Sequence, residues 1–407
     1  MNRGDRATSR VEPRDAVAVP DSWTLVAPHV YEIRSHEPIP EWSRRWRSDA
    51  FASHLLGREV RATDLSFIDC ETTGLSGGAG TSVFLVGVGR VMNGRIEVVQ
   101  YLLSDFPGER DYLERVLDGM GRATVWVSYN GKAFDARLIE TRCVMNGIAP
   151  PSPTHVDLLY WARRLWRRML PDCSLSSVEA GVLGCPRDAD IPGAEIPDRY
   201  FEYLRSRDAG ALEPVVEHHR RDIVSLAQLF LTIEGILDAI PAPDGETRDP
   251  AGRDRAIGDR PVRYDSYQLG RWLLASGDRR GVGLLQSALD PSLCLEVDDC
   301  YAAGYLVARH YRRSGDHDLA EKVLVGLLGV GGATGPGSAV AAATAPSRWL
   351  ARLVIEYAKL LEHDRRDPAR ALDVIEAARC VVDRYAASVD LERREQRLRR
   401  AVNAKRL

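Results

Sequence analysis

The spacing of apolar and polar residues divides the chain into a first part that mixes strand and helix periods and a second part with helical period alone. Short apolar runs predict strands, and segments that are apolar every three or four residues predict helices. The predicted strands cover 65–69, 82–90, 96–102 and 124–128, and the predicted helices cover 109–120 and 133–146, with mostly helical chain at 171–240. This order predicts an α/β fold with a mixed sheet flanked by helices. Residues 23–57 show neither pattern, and we expect an irregular or partly helical segment there.

The second part begins after a segment that is typical of an interdomain linker. Residues 241–261 contain four prolines and many charges without periodicity. Three segments beyond it share a scheme of helix, short turn and helix, with the turns at Asp278, Asp316 and Asp367, which indicates tetratricopeptide-like helical repeats. We therefore predict four regions along the chain. They are a partly disordered N-terminal extension at 1–57, an α/β domain at 58–240, the linker at 241–261 and an all-α repeat domain at 262–407.

Composition limits the classes of protein to consider. A chain of 407 residues with 44% hydrophobic residues can bury a sizeable core. The formal charge of −3 gives no bulk attraction to nucleic acid, so any binding would depend on local basic patches. Seven cysteines without a C-x-x-C pair favour a reducing compartment. Because no N-terminal apolar core and no run of about 18 apolar residues occur, we expect a cytoplasmic protein without membrane contact.

The strongest chemical signal is a pair of carboxylates at the end of an apolar strand. Asp69 and Glu71 lie two positions apart in FIDCETTGL, which starts at residue 67. Alternate strand residues point the same way, so the two charges lie side by side. Like charges raise each other's pKa unless a cation lies between them. The pair therefore suggests a metal site, although acidic residues also end many strands without one.

Two later segments supply polar partners for this pair. An apolar strand leads through a turn at Asn130 into a predicted helix whose first turn carries Asp135. A longer predicted helix carries His218 and Asp222 four positions apart, which places both side chains on one face. Three polar segments in order are far more specific than the acidic pair alone.

These segments resemble the motifs of a known superfamily. FIDCETTGL, N-x-x-x-F-D from Asn130 to Asp135 and H-x-x-x-D from His218 to Asp222 resemble, in order, the three motifs of the DEDD superfamily of 3′-to-5′ exonucleases. Roughly residues 60–235 are also similar to the YprB-like group of RNase H-like bacterial proteins, through CETTGLSGGAGTSVFLVGVG, CSLSSVEAGVLG, DIPGAEIPDRYFEYL and HHRRDIVSLAQL. The resemblance implies an RNase H-like fold and metal-dependent exonuclease activity on single-stranded DNA or RNA ends.

The resemblance also implies roles for the motif residues. Two divalent ions about 4 Å apart can support phosphodiester hydrolysis, and a mostly carboxylate site favours Mg²⁺ or Mn²⁺ over zinc. By the resemblance, Asp69 bridges both ions, Glu71 and Asp222 complete one, and Asp135 supports the other. His218 would orient or deprotonate the attacking water.

The histidine is the least regular member of the pattern. The histidine branch of the superfamily usually places its histidine five positions before the last aspartate, and the tyrosine branch places a tyrosine four positions before it. Here His218 has the tyrosine spacing, and His219 lies three positions before Asp222. We favour His218 because of its i, i+4 alignment, and His219 remains the alternative.

Residues around the carboxylates are candidates for nucleic-acid binding. By the resemblance, Thr72, Thr73 and Leu75 contact the terminal nucleotide, with Leu75 either a wedge between the last two bases or a buried loop leucine. Asn130 belongs to the same group of candidates. Asp157 is left out of the site because it directly precedes an amphipathic segment, where a helix N-cap explains it.

Three interpretations of function follow from the sequence. The first is the metal-dependent 3′-to-5′ exonuclease. The second is a non-catalytic module that binds nucleic acid or protein, in which the helical repeats bind a protein partner or guide a nucleic acid. The third is an endonuclease on the same fold. All four carboxylates and a histidine stand in the expected order, which favours the first.

Overall fold

The described part of the chain forms two compact units. The computed structural model describes residues 19–39, 50–74, 80–121, 123–241, 262–290, 295–329, 347–379 and 388–404. The first unit holds the described residues up to Arg163 and those of Leu170–Asp238. The second holds Arg164–Met169 and the described residues from Arg263 onward. Nearly all of the predicted linker lies outside the described residues, and the domain boundaries stay predictions.

The first unit is built on one mixed sheet of seven strands. Its strands are β1 (Trp23–Ala27), β2 (Val30–Pro38), β3 (Leu65–Thr72), β4 (Val83–Met92), β5 (Arg95–Leu103), β6 (Val125–Ser128) and β7 (Thr154–Asp157). Their order is β1-β2-β5-β4-β3-β6-β7. The strands from β1 to β3 in this order pair antiparallel, whereas β6 pairs parallel with both β3 and β7. The carboxyl ends of β3, β6 and β7 therefore meet at one edge of the sheet.

The described residues also form α-helices between and after these strands. They are α1 (Ala50–Leu56), α2 (Glu109–Met120), α3 (Asp135–Met145), α4 (Leu158–Trp166), α5 (Leu175–Val178), α6 (Ile196–Ser206) and α7 (Glu213–Ala239). Helices α2, α6 and α7 each bury an apolar stripe against neighbouring elements. The mixed sheet with flanking helices confirms the predicted α/β fold.

The sequence predicted an irregular or partly helical segment at residues 23–57. This prediction is wrong for residues 23–38, which form β1 and β2. Strand β2 pairs with β5 along its whole length, from Val30 opposite Leu103 to Pro38 opposite Arg95. Only Val30 and Ile33 are buried in it. Polar or charged residues occupy most of the other positions, and Arg34 donates to Glu32 at 2.6 Å. A strand with so few apolar positions has no clear period of two, so sequence pattern alone misses it.

Two glycines let helix α7 lie directly on the sheet. A Cβ built on Gly87 of β4 would overlap Ile223 Cδ1 and lie 2.7 Å from His219 Cε1. A Cβ on Gly89 would lie 2.5 Å from Ile223 Cγ2. Only a residue without a side chain permits this approach. This contact places the first half of α7 close to β3, the strand that contains Asp69.

The second unit is helical in its described residues. Its helices are α8 (Ser266–Ala275), α9 (Arg280–Ser287), α10 (Val297–Ser314), α11 (His317–Leu328), α12 (Arg348–Lys359), α13 (Pro368–Ala377) and α14 (Ser388–Ala404). The predicted turns at Asp278, Asp316 and Asp367 each lie just before the second helix of a pair. Asp278 accepts a hydrogen bond from Arg280 N at 2.9 Å, and Asp367 accepts one from Arg370 N at 3.1 Å. These helices confirm the predicted all-α region, and its tetratricopeptide-like character stays a prediction.

Small and aromatic residues pack the helical pairs of the second unit. A Cβ on Gly281 would lie 2.5 Å from the carbonyl oxygen of Gly270, so α8 and α9 approach closely. Tyr267 and Tyr357 are buried in the cores on either side of α10.

No helix in the described parts of either unit is long and apolar enough to cross a membrane.

Candidate functional site

The acidic pair lies at the carboxyl end of strand β3. Asp69 pairs with Gly87, and Glu71 pairs with Leu85, on the neighbouring strand β4. On its other side β3 pairs parallel with β6, from Leu65 opposite Val125 to Phe67 opposite Val127. The chain that leaves β6 therefore turns beside the acidic pair. Carboxyl ends of parallel strands are a common place for a functional site, because the turns that follow them converge there.

The turn after β6 places Asp135 at this edge. Asn130 adopts a left-handed backbone with φ 65°. Asp157, at the end of β7, accepts hydrogen bonds from Asn130 N at 2.8 Å and Lys132 N at 3.3 Å. A Cβ on Gly131 would lie 2.6 Å from Asp135 Oδ2, so the glycine gives the carboxylate its space. The turn sequence thus serves to place Asp135.

Asp157 has a structural role in this arrangement. Its Oδ1 accepts a hydrogen bond from Leu159 N at 3.1 Å, two residues along, as an N-cap does. The same side chain also binds the turn that follows β6. The N-cap predicted from the sequence is therefore present, and it has a second function in holding the neighbouring turn.

Helix α7 supplies the third group of site residues. His218 Nε2 lies 3.5 Å from Asp222 Oδ2 and 4.0 Å from Glu71 Oε1. One ligand atom from each of these three side chains lies within 4.8 Å of the other two. Their side chains are 13 to 15% exposed, so the cluster is mostly buried but remains accessible to solvent.

Burial raises the pKa of all four carboxylates, and nearby charges modify it. Burial raises the pKa of Asp69 well above its usual range, and the charges of Asp222, Asp135 and Glu71 raise it further. Burial likewise raises the pKa of Glu71, with Asp222 and Asp135 adding to it. The pKa of Asp135 is raised to about 7 by burial and then by Asp157. Burial also raises the pKa of Asp222. His218 and Arg187 oppose the rise for Asp222. Because Asp69 and Glu71 both feel the charges of Asp135 and Asp222, a cation among these side chains would be favoured.

The donor set of this cluster fits a divalent metal ion. Carboxylate oxygens are the ligands that Mg²⁺ and Mn²⁺ prefer. Glu71 and Asp222 offer such atoms close together, with His218 beside them. The negative charge that raises the pKa of Asp69 is the charge that a bound cation would offset.

The two candidate histidines have different environments. His219 is fully buried, donates from Nε2 to the carbonyl oxygen of Asp69 at 3.0 Å, and accepts at Nδ1 from Gln100 Nε2 at 3.0 Å. Burial lowers the pKa of His219 to about 4. Both of its nitrogens are used in holding α7 to the sheet. His218, in contrast, directs Nε2 towards Glu71 and Asp222. This difference favours His218 as the histidine that acts in the site.

The predicted nucleic-acid contacts fall in the loop after β3 and in the turn after β6. The Thr72 hydroxyl donates to the carbonyl oxygen of Gly74 at 2.8 Å, and Thr73 Oγ1 accepts from Ser82 N at 2.9 Å. Both threonines therefore shape the loop that follows Glu71. Leu75 lies outside the described residues. The roles of these residues towards nucleic acid stay predictions.

Sequence reasoning missed an arginine at the edge of the site. Arg187 donates to Glu179 through Nε and Nη2, both at 2.6 Å, and to Asp190 Oδ2 through Nη1 at 2.6 Å. Nη2 also donates to Asp222 Oδ1. The Arg187 side chain is 12% exposed and that of Glu179 is 2% exposed. Despite burial, these carboxylates raise the pKa of Arg187, so it stays charged.

A signal for this network was present in the segments that carry the family resemblance. Glu179 lies in CSLSSVEAGVLG and forms part of a π-helical turn, Glu179–Leu183, which ends at Gly184 with φ 73°. Arg187 and Asp190 follow within the next six residues. A buried glutamate so near a strong cation indicates an ion pair, but nothing in the sequence spacing relates it to Asp222.

Comparison with known protein families gives the class of one domain of the chain. Residues 66–233 match the family model described as the RNase_H superfamily, so this chain contains a domain of the RNase H superfamily, which includes nucleases. Over 206 residues, the chain is 35% identical to the uncharacterized protein YprB of Bacillus subtilis (strain 168). The match covers 50% of this chain and 50% of that protein, so the chain spans about half the length of the relative that it matches. These matches confirm the resemblance to the YprB-like group.

A comparison with solved structures gives a more distant likeness. The family B DNA polymerase from the hyperthermophilic archaeon Pyrobaculum calidifontis is 17% identical, with a TM-score of 0.34. The likeness covers 53% of this chain and 29% of the polymerase chain. The assignment to the RNase H superfamily depends on the family match and not on the likeness to the polymerase structure.

Proposed function

We propose that this protein is a metal-dependent nuclease that removes nucleotides from the 3′ end of single-stranded DNA or RNA. The observation that carries the proposal is the convergence of Asp69, Glu71, Asp135 and Asp222 with one histidine at the carboxyl edge of β3. The proposed polarity and the single-stranded substrate depend on the resemblance to DEDD exonucleases. The RNase H superfamily domain supports nuclease chemistry in general.

Four carboxylates would hold two Mg²⁺ or Mn²⁺ ions in this proposal. They are Asp69, Glu71, Asp135 and Asp222. Bound divalent ions would supply Lewis acidity and offset the negative charge that develops on the phosphate. Burial raises the pKa of each carboxylate, and like charges add to this rise for Asp69, Glu71 and Asp135.

His218 is the proposed acceptor for the proton of the attacking water. The water oxygen forms a bond to phosphorus, the bond from phosphorus to the 3′ oxygen of the preceding nucleotide breaks, and that oxygen takes a proton from solvent. The water proton moves to His218 Nε2, which faces Asp222 and Glu71. Imidazole suits this step because it gains and loses a proton near neutral pH. His219 lacks a free nitrogen for this role.

Residues around the carboxylates would hold the terminal nucleotide. The loop with Thr72, Thr73 and Leu75, together with Asn130, supplies the proposed contacts. Phe134, which precedes Asp135, is 54% exposed and offers a ring on which a base can stack. The net charge of −3 means that these local contacts, rather than a general field, must provide the affinity.

Degradation of labelled oligonucleotides tests this proposal directly. Single-stranded DNA and RNA with a 5′ label would be incubated with Mg²⁺, Mn²⁺ or EDTA. We expect a ladder that shortens from the 3′ end, requires metal and disappears in Asp69→Ala. Asp111→Ala, which removes an exposed carboxylate on α2, is the matched control and should cleave as the wild type does. Internal cuts would instead identify an endonuclease.

A non-catalytic binding module is the second candidate function. The bond between Arg187 and Asp222 favours it, because the guanidinium already compensates one carboxylate of the site. In that case the protein would bind single strands without cleaving them and would show no affinity for Mn²⁺ in a calorimetric titration. Cleavage that depends on metal would exclude this candidate.

A further inference from the structure

The two ring nitrogens of His218 have different partners. Nδ1 lies 2.8 Å from Asp190 Oδ1, and Nε2 lies 3.5 Å from Asp222 Oδ2. An ionised carboxylate can only accept hydrogen bonds. A contact of 2.8 Å therefore requires that Nδ1 carry the proton and donate it to Asp190. In a neutral imidazole, Nε2 is then the nitrogen with the free electron pair, and it faces Glu71 and Asp222.

A competing contact at Nδ1 does not change this assignment. Arg187 Nη1 lies 3.3 Å from His218 Nδ1 and would have to donate to it. The same Nη1 donates to Asp190 Oδ2 at the shorter distance of 2.6 Å. Of the two contacts at Nδ1, the hydrogen bond to Asp190 is also shorter than the contact with Arg187. The arginine therefore binds the carboxylate, and the carboxylate binds the histidine.

Asp190 is itself held in place from two sides. Its Oδ1 accepts from Ile191 N at 3.0 Å, and its Oδ2 accepts from Arg187. Arg187 is in turn held by both oxygens of the buried Glu179. A series of hydrogen-bonded side chains thus connects the interior to the site, in the order Glu179, Arg187, Asp190 and His218. Such a support fixes both the orientation and the tautomer of a histidine.

We propose that Asp190 is a positioning residue of the candidate site, which holds the proton of His218 on Nδ1 and directs Nε2 at Glu71 and Asp222. The inference rests on the proposed function, and it assigns a role to a residue outside the three motifs. Asp190 acts through His218 and does not itself touch the reacting atoms. Loss of the correct tautomer should remove the contribution of a general base, which is about 100-fold in rate or more.

Asp190→Asn tests this role because the bond from Arg187 Nη1 should keep the amide oxygen at the Oδ2 position, so that the NH2 group replaces Oδ1 and donates to Nδ1. The variant should move the His218 proton to Nε2 while keeping the size of the side chain. Asp190→Glu keeps the carboxylate and should retain the Nδ1 proton and part of the rate. Asp188→Asn makes the same change of charge at an exposed neighbour and is the matched control.

Three measurements on the full chain separate this proposal from the proposed function. Nuclear magnetic resonance of ¹⁵N-labelled histidine gives the tautomer of His218, whose signals are identified by their loss in His218→Gln. Single-turnover cleavage of a 5′-labelled single strand gives the rate of the chemical step, and equilibrium binding gives Kd. We expect Asp190→Asn to switch the tautomer, reduce the rate about 100-fold and leave Kd unchanged, and Asp188→Asn to change none of the three.

Two results would overturn the positioning role. One is a His218 tautomer that does not change in Asp190→Asn. The other is a changed tautomer with an unchanged rate. If the wild type cleaves no substrate, the proposed function fails, and the tautomer measurement still decides whether Asp190 controls the ring of His218.

Discussion

Removal of the Arg187 guanidinium should strongly destabilise the first unit. Arg187→Met breaks the bonds to Glu179, Asp190 and Asp222. Glu179 is 2% exposed, so its charge would be left in the interior without a partner. Breaking a buried ion pair in this way costs about 3–5 kcal/mol. For a folded unit of this size each kcal/mol lowers the melting temperature by about 2–4 °C, which gives a decrease of about 6–20 °C.

Thermal unfolding followed by circular dichroism provides the assay. Arg199→Met is the matched control, because Arg199 is 43% exposed and its ion pair with Glu202 is 3.5 Å long. An exposed pair of this kind contributes about 0–1 kcal/mol. In the double variant Glu179→Gln/Arg187→Met no charge is left at position 179, so part of the lost stability should return.

We expect the wild type to have the highest melting temperature, the double variant an intermediate one and Arg187→Met the lowest. A value for Arg187→Met within about 2 °C of the wild type would correspond to less than about 1 kcal/mol and would refute the reasoning. So would a double variant that melts no higher than the single one, because burial of the Glu179 charge would then not be the cause.

Three further predictions concern the packing and the supports of the first unit. Gly87→Ala should cost about 1–3 kcal/mol in urea unfolding because its Cβ would overlap Ile223, whereas Gly193→Ala, where no atom lies within 4 Å, should change stability by less than about 0.5 kcal/mol. Asp157→Ala should cost about 0.5–2 kcal/mol in the same assay, since it removes an N-cap and the support of the turn after β6. Burial opposes ionisation of Glu109, but hydrogen bonds from Arg142 outweigh it and hold the pKa of Glu109 below its ordinary value of 4.5. Its stabilising contribution is therefore present above that pH and is lost as pH falls through the lower folded pKa, so the gap in melting temperature between the wild type and Glu109→Gln should narrow between about pH 6 and pH 3. A gap that stays constant over this range would contradict the assignment.

The fold of the first unit was largely predictable because its central strands are continuous apolar runs. Buried strands such as β3, β4 and β5 show in any hydrophobic profile. Strand β2 does not, because it owes its place to hydrogen bonds with β5 and to cross-strand pairs such as Arg34 with Glu97. Tertiary pairing therefore decided an element that local pattern left out.

The sequence by itself determined which residues could provide the chemistry of the site, since Asp69, Glu71, Asp135 and Asp222 stand at strand ends and on a helix where local periodicity directs their side chains. Only the tertiary structure decided which histidine faces them. That choice depends on how α7 lies on the sheet, which follows from the missing side chain of Gly87. The partners of His218 and of Asp222 were equally hidden, because contacts between residues about thirty positions apart depend on the packing of whole elements and leave no period in the sequence.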